Sequence, residues 1–269
     1  MQKRIITLTT DFGLKDPFVG IMKGVIMGIN PDVCVIDISH NIAPHNIFEA
    51  SQIVLMSYRY FPRDTIHVVV VDPGVGSTRR PVLVITDDYY FIGPDNGVFT
   101  PIYEDTASGS LRVIRISSTH YFMPEQSTTF HGRDIFAPVA AWLSKGIEAS
   151  RFGEEITDYI KTPLVKPSIS DEGIIKGNVI AIDVFGNAIT NIKREDIDRL
   201  YGGITKERIR IQYRDRIVNL VDYYADTEKT TLSALFNSFG NLELFVFMDS
   251  ASRIFNIHVG DTLTITQVN

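Results

Sequence analysis

A chain of 269 residues, 44% of them hydrophobic, can bury a sizeable core and is long enough for two domains of roughly 100 to 170 residues each. Twenty-six Lys and Arg against 32 Asp and Glu leave a formal net charge of −6, which lacks the basic footprint that nucleic-acid binding needs. No run approaches the ~20 uninterrupted apolar residues of a membrane span, and residues 2–4 lead straight into a strand without the apolar region of a signal peptide, so a cytoplasmic protein with no membrane partner is expected.

Residues 5–9 read as a first strand that empties into Thr10-Asp11-Phe12-Gly13-Leu14-Lys15-Asp16-Pro17, which sets two carboxylates just beyond a strand end. A helix follows over 18–29, with Val19, Met22, Val25, Ile26 and Ile29 on its apolar face and Asn30-Pro31 as its stop. Residues 33–38 form the next strand, in which the single cysteine, Cys34, is expected as a small buried hydrophobe. A polar exit through Asp37, His40 and His45 leads to a helix over 47–60, closed by Pro62. The unbroken valines 68–71 fit a strand buried on both faces. Strand and helix alternate up to this point, as in a parallel sheet with right-handed crossovers.

The valine strand stops at Asp72. Pro73 removes a backbone donor and Gly74 and Gly76 permit angles closed to other residues, so the chain leaves in a tight loop that carries Arg79 and Arg80. Asp72 therefore stands at the carboxyl end of a strand, where open α/β sheets place ligands. A carboxylate and a guanidinium delivered by one loop can form a fixed, charge-assisted pair. The loop has no Gly-Lys-Ser/Thr ending, so it is not a phosphate-binding P-loop. Two short strands, 82–86 and 89–92, flank a turn at Asp87-Asp88; the loop 93–97 reads as structural and 111–116 as a further strand. The polar segment 127–134 then runs into a helix over 135–143 with Pro138 in its first turn. His131 lies at that junction, where exposed amide donors suit polar ligands.

Residues 161–173, with Pro163 and Pro167 and no periodicity, read as a linker between domains at 1–160 and 174–269. Everything beyond is strand-like. Residues 177–183 and 188–192 face each other across Val184-Phe185-Gly186-Asn187 as a hairpin, and 208–220, 242–248 and 262–268 continue the pattern. The expected architecture is α/β: an N-terminal, mostly parallel sheet with flanking helices, followed by a C-terminal antiparallel β-barrel or sandwich.

For chemistry, His40 and His45 fit neither the helical His-Glu-x-x-His pattern nor a cysteine-rich zinc site, so no metal is expected. The absence of a Gly-x-Ser-x-Gly elbow argues against a serine hydrolase. Asp11, Asp16 and Asp72, all at predicted strand exits, suit a cationic or hydroxyl-rich ligand held above the sheet.

Five motifs in chain order carry a more specific signal: Thr9-Thr10-Asp11-Phe12-Gly13; Asp72-Pro73-Gly74-Val75-Gly76 with Arg79-Arg80; Phe130-His131-Gly132-Arg133-Asp134; Asp183 with Phe185-Gly186-Asn187 and Thr190-Asn191; and Asn237-Ser238-Phe239-Gly240. Together they resemble the adenosine-forming S-adenosyl-L-methionine hydrolases, the superfamily that also contains the fluorinase and chlorinase. The resemblance implies a homotrimer whose sites lie between one subunit's first domain and its neighbour's second. It implies a catalytic triad of Asp72, Arg79 and His131, and no cofactor, S-adenosylmethionine being the substrate. By position Asp11 would hold the ribose hydroxyls, Asp16 and Asp183 the methionine ammonium, Ser238 the methionine carboxylate and Asn187 the adenine edge, with Phe130 and Gly132 along the nucleoside. The halide-using relatives carry tyrosine where Asp72 stands, and the fluorinase has serine at Gly132, tryptophan at Ile189 and arginine at Phe239. An aspartate beside the nucleophile repels halide and favours water.

The reaction so implied is in-line attack of water on the ribose C5′, with methionine leaving as a neutral thioether. Arg79 would steady developing hydroxide, while Asp72 and His131 orient the water and take its proton, an effect of roughly 10²- to 10⁴-fold. The proton is assigned to the set of three. Two alternatives are a halide-using 5′-halo-5′-deoxyadenosine synthase on the same scaffold, recognised by halide-dependent product, and a non-catalytic module for S-adenosylmethionine or adenosine, recognised by ligand stabilisation without turnover.

Overall fold

The computed structural model describes residues 4–107, 109–203 and 206–268, and its internal contacts divide the chain into two units, Met1–Leu164 and Val165–Asn269. The first unit is an α/β sheet made of β1 (Ile5–Thr10), α1 (Phe18–Ile29), β2 (Cys34–Ser39), α2 (Ile47–Ser57), β3 (Ile66–Val70), β4 (Pro81–Ile85), β5 (Tyr90–Pro94), α3 (Thr100–Asp105), β6 (Arg112–Ile116), α4 (Ala137–Ser144) and β7 (Gly153–Glu155). Its strand order is β2-β1-β3-β5-β4-β6-β7. The first four pair in parallel, whereas β4 runs against both β5 and β6, and β7 against β6. Most of the strands therefore point one way.

The valine run explains the layering. Successive side chains on a strand point to opposite faces, so Val68 and Val70 enter one core with Val19, Met22 and Ile26 of α1 and Val139 and Leu143 of α4. Val69 and Val71 enter a second core with Ala50 and Val54 of α2 and Ile102 of α3. All four valines are at most 3% exposed. Each contributes roughly 1.5–3 kcal/mol of burial energy, which pins the strand in register between β1 and β5.

At the edge of the sheet the expectation for Cys34 fails. Among the described residues β2 pairs with β1 alone, and Cys34 is exposed. An apolar stretch on an edge strand has no second neighbour to cover it.

From β1 the chain crosses to β2 on one side and then returns past β1 to β3 on the other. With right-handed crossovers this puts α1 and α2 on opposite faces and leaves a crevice at the carboxyl ends of β1 and β3. Asp11 follows β1 there, and Asp72 follows β3 by two residues.

The second unit is a closed barrel. Its elements are β8 (Ser168–Ile169), β9 (Ile175–Ile182), β10 (Ala188–Lys193), α5 (Arg194–Tyr201), β11 (Ile209–Tyr213), β12 (Arg216–Leu220), β13 (Leu232–Phe236), β14 (Asn241–Val246), α6 (Ala251–Ile254) and β15 (Thr262–Gln267). The order β10-β14-β13-β12-β11-β15-β9 closes through the β9–β10 hairpin, with β8 added beside β9. Val179, Ile211, Ala234, Leu244 and Ile265 fill its interior. Of the two forms expected for this domain, the barrel is the one found.

Two details differ from the sequence reading. Residues 208–220 are a two-strand hairpin, because Arg214 takes a left-handed φ of 54° and Tyr213 pairs with Arg216. The unit is also not strand throughout. Helix α5 starts where the Asp196 carboxylate accepts the Lys193 amide at 2.9 Å, and ends at Gly202, whose φ of 74° closes it. Its single buried residue, Ile197, leaves too weak an apolar stripe to read from sequence.

Candidate active site

The loop after β3 folds back so that Arg79 grips Asp72 with two nitrogens. Arg79 Nε donates to Asp72 Oδ1 at 3.0 Å, and Nη2 donates to Oδ2. The pair is desolvated, with side-chain exposures of 9% and 5%, so the charges interact far more strongly than on a surface. The same Nη2 lies 2.8 Å from His131 Nδ1. The guanidinium carbon sits 5.3 Å from the centre of the Phe136 ring, which holds its plane. The remaining nitrogen, Nη1, is buried and has no acceptor among the described residues. A guanidinium held this rigidly in a dry site can stabilise negative charge that develops nearby.

The contact with His131 settles its tautomer. A guanidinium only donates, so Nδ1 must accept, and a neutral imidazole then carries its proton on Nε2. Burial, followed by the positive charge of Arg79, lowers the His131 pKa below the ordinary imidazole value. A backbone hydrogen bond to Ser127 works the other way without reversing the shift, so His131 is a neutral ring.

His131 opens a single turn with wide, π-type hydrogen bonding over Gly132–Phe136 that leads directly into α4. Its loop is wrapped around Asp134, which is fully buried. Asp134 Oδ2 accepts from the Ser127 amide at 2.7 Å and hydroxyl at 2.9 Å, while Ser127 Oγ accepts the Phe130 amide at 3.0 Å. Burial raises the Asp134 pKa, but the bonds from Arg133 and Ser127 outweigh it and hold the carboxylate below its usual range. The two loops meet at Gly76. A Cβ built there, at φ +76°, would lie 2.1 Å from the Thr128 carbonyl oxygen, so only glycine lets the loops approach this closely.

The loop after β1 joins the same neighbourhood through aromatic rings. Phe12, Phe18 and Phe130 form a triangle with centroid separations of 5.6, 5.9 and 5.2 Å. Asp11 is half-buried beside it, with Oδ2 accepting the His45 amide at 2.9 Å. Asp16 is exposed further along the loop. Gly132 is buried under this triangle, where an added Cβ would lie 3.1 Å from Met22 Sδ and 3.2 Å from Phe130 Cε2.

In the second unit Asp183 and Asn187 occur together in the β9–β10 turn. Asp183 Oδ1 accepts the amides of Phe185 at 2.9 Å and Asn187 at 2.8 Å, and its Oδ2 accepts from Asn187 Nδ2 at 3.1 Å. Ser238 is exposed on a different turn, 237–240, between β13 and β14.

The roles of several supporting residues escaped the sequence reading. Arg80, adjacent to Arg79 in sequence, turns away to Asp95 at 2.7 Å and to Asp158 at 2.7 Å. The loop 93–97 is structural, as expected, with Asn96 Nδ2 also donating to the Val71 carbonyl at 3.0 Å. His40 is 4% exposed and ties the β1 exit down: Nδ1 is 2.8 Å from Thr10 Oγ1, Nε2 is 3.0 Å from Asp37, and its carbonyl accepts the Gly13 amide at 2.7 Å. Glu243 is a buried carboxyl on β14. Its only trace in the sequence is a charge between Leu242 and Leu244. No group of three or more His, Cys, Asp or Glu residues stands ready to hold a metal among the described residues.

The motifs have counterparts in known proteins. A protein from Methanocaldococcus jannaschii, named (R)-S-adenosyl-L-methionine hydrolase, is 39% identical over 97% of this chain and 95% of its own length. A fluorinase from an Actinoplanes species is 26% identical over 98% and 97%. The crystal structure of an uncharacterized conserved protein from Thermotoga maritima superposes with a TM-score of 0.89 at 35% identity, covering 97% of this chain and 99% of that one. Residues 6–153 match the model of the SAM hydroxide adenosyltransferase N-terminal domain and residues 177–264 that of its C-terminal domain. With both domains matched in order and a relative at 39% identity, the chain belongs to the SAM hydroxide adenosyltransferase family.

Proposed function

We propose that this protein hydrolyses S-adenosyl-L-methionine to adenosine and L-methionine, and that Asp72, Arg79 and His131 carry the chemistry. The supporting observation is the cluster itself, a desolvated Arg79 held rigid by Asp72 on one side and His131 on the other. Water held beside this cluster attacks C5′ from the side opposite sulfur. The C5′–O bond forms as the C5′–S bond breaks, and the sulfonium's positive charge is discharged as methionine departs. A sulfonium needs neither protonation nor a Lewis acid to leave, so the reaction runs without a metal or cofactor.

The attacking oxygen becomes a protonated alcohol, a strong acid that must lose one proton. Nδ1 of His131 is already engaged by Arg79, and Nε2 already carries hydrogen, so the imidazole has no free acceptor and serves by holding Arg79 in place. Asp72 is left as the proton acceptor. Each of its oxygens has a second lone pair beyond the Arg79 bond.

The substrate roles follow the family resemblance: Asp11 holds the ribose hydroxyls, Phe130 and Gly132 line the nucleoside, Asn187 reads the adenine edge, Asp16 and Asp183 bind the ammonium and Ser238 the carboxylate. The assembly is a homotrimer in which a neighbouring copy completes each site. Exposed apolar side chains in both units support this, Leu14 at 70%, Val184 at 92%, Phe185 at 74% and Met248 at 77%. The domains are 1–160 and 174–269 with a linker at 161–173, and the protein works in the cytoplasm. Among the described residues no helix is long and apolar enough to cross a membrane.

Incubation in ¹⁸O-labelled water tests the reaction. The label is expected in the adenosine 5′-hydroxyl. Label in methionine, or a product that appears only when chloride is present, overturns the reading.

A further inference from the structure

The residue with the most unusual surroundings outside the triad is Glu243. It projects from the outer face of the barrel, on the side opposite Leu242 and Leu244, which point inward to the core. It is nevertheless only 3% exposed. Its cross-strand neighbours are Ile189 on β10 and Leu235 on β13. The acid is thus flanked by apolar side chains on either side, a placement that costs free energy unless its oxygens are occupied.

Both are occupied. Oε1 accepts from the Tyr224 hydroxyl at 2.7 Å, and Oε2 accepts from Asn237 Nδ2 at 3.1 Å. The ring of Tyr224 is packed edge-on against Phe245, its centre 4.9 Å away. Burial raises the Glu243 pKa against the lowering effect of these two donors, and the charge of Asp183 adds to the rise. Asp183 therefore lies close enough to sense this carboxyl.

Asn237 links this acid to the turn that carries Ser238. Its Oδ1 accepts the amides of Phe239 at 3.0 Å and Asn241 at 3.2 Å, while its backbone pairs with Gly240 and Asn241 at 2.9 Å each. The turn's geometry is thus set by the side-chain amide of Asn237, which two backbone donors hold at its oxygen and Glu243 holds at its nitrogen. An acceptor at position 243 forces the NH₂ end toward β14 and the oxygen toward the turn.

We propose that Glu243 is a positioning residue for recognition of the amino-acid end of the substrate, acting through Asn237 on the turn that presents Ser238. The inference rests on the reading that Ser238 binds the methionine carboxylate. Removal of the acceptor gives a specific prediction. In Glu243→Leu the NH₂ of Asn237 faces an apolar side chain with no acceptor in place of the carboxylate, and the amide loses its hold on β14. In Glu243→Gln the side-chain oxygen still accepts from Asn237 Nδ2 while the new NH₂ donates to the Tyr224 hydroxyl oxygen, so the conservative variant keeps the turn.

The test is calorimetric affinity for S-adenosylmethionine, methionine and adenosine, measured beside turnover in the wild type, E243L, N237A and E243Q. E243L and N237A should each weaken S-adenosylmethionine and methionine about 10-fold or more, leave adenosine within about twofold, and raise KM with little change in kcat. The conservative E243Q should stay close to the wild type. Equal weakening of adenosine and methionine points to a merely structural acid and overturns the proposal, as does wild-type methionine affinity in a folded E243L or N237A, or an E243Q as impaired as E243L. If the wild type binds S-adenosylmethionine but forms no adenosine, the hydrolase reading fails while the affinity series still decides the role of Glu243. If it binds neither S-adenosylmethionine nor methionine, both fall.

Discussion

Replacing Asp72 by Asn separates the charge pair from the rest of the triad. The amide offers Arg79 one acceptor where the carboxylate offers two, and its NH₂ confronts a guanidinium nitrogen. Arg79, only 9% exposed at its side chain, is left charged without a counter-ion. Removing one partner of a buried ion pair costs about 3–5 kcal/mol, which lowers the melting temperature of a domain this size by roughly 6–20 °C. His131→Ala removes only a neutral acceptor 2.8 Å from the same guanidinium. That change should cost about 0.5–1.5 kcal/mol. Both variants should lose turnover, D72N by about 10²- to 10⁴-fold because the proposed proton acceptor is gone, while adenosine affinity stays near wild type. Adenosine release followed by chromatography, with thermal melts on the same samples, separates the two effects. Turnover of D72N within tenfold of wild type, or greater destabilisation by H131A than by D72N, would refute the reasoning.

Other outcomes follow from the same geometry. Arg80→Met breaks a pair whose Asp95 side chain is 1% exposed, so it should destabilise by about 3 kcal/mol or more yet leave kcat unchanged in the folded fraction, the reverse of the balance expected at Arg79. Gly76→Ala drives a methyl group into the Thr128 carbonyl, 2.1 Å from the ideal Cβ, and should abolish most turnover with far smaller loss of stability than D72N; wild-type kcat would show that the loop contact is dispensable. Because the His131 pKa is lowered, the ring stays neutral at and above neutral pH, so turnover should be flat there and fall on the acid side, as a protonated ring cannot accept from Arg79. Burial lowers the His67 pKa to about 3, so the unfolded chain binds the extra proton below about pH 6.5 and stability is lost as pH falls from there toward 3, by roughly 1.4 kcal/mol per unit. His67→Gln keeps a partner for Thr7, which bonds His67 at 2.8 Å, and should give a shallower acid limb in denaturant melts.

Local patterns in the chain determined the layered first unit and the strand exits. A valine run buried on both faces, helix stops at Asn30-Pro31, and Pro73 with two glycines act over a few residues, so they are legible in order. The same holds for the β9–β10 hairpin, where Asp183 bonds its own turn. What depended on distant chain segments was not legible. Arg79 and Arg80 are neighbours with equal chemistry, and only the fold sends one to His131, 52 positions away, and the other to Asp158, 78 positions away. Cys34 is apolar by composition but exposed, because strand order rather than sequence makes β2 an edge. The neutral tautomer of His131, the unused nitrogen of Arg79 and the buried acid at Glu243 are likewise properties of partners brought together through space. Burial and hydrogen-bond direction belong to the assembled neighbourhood, and no single segment carries them.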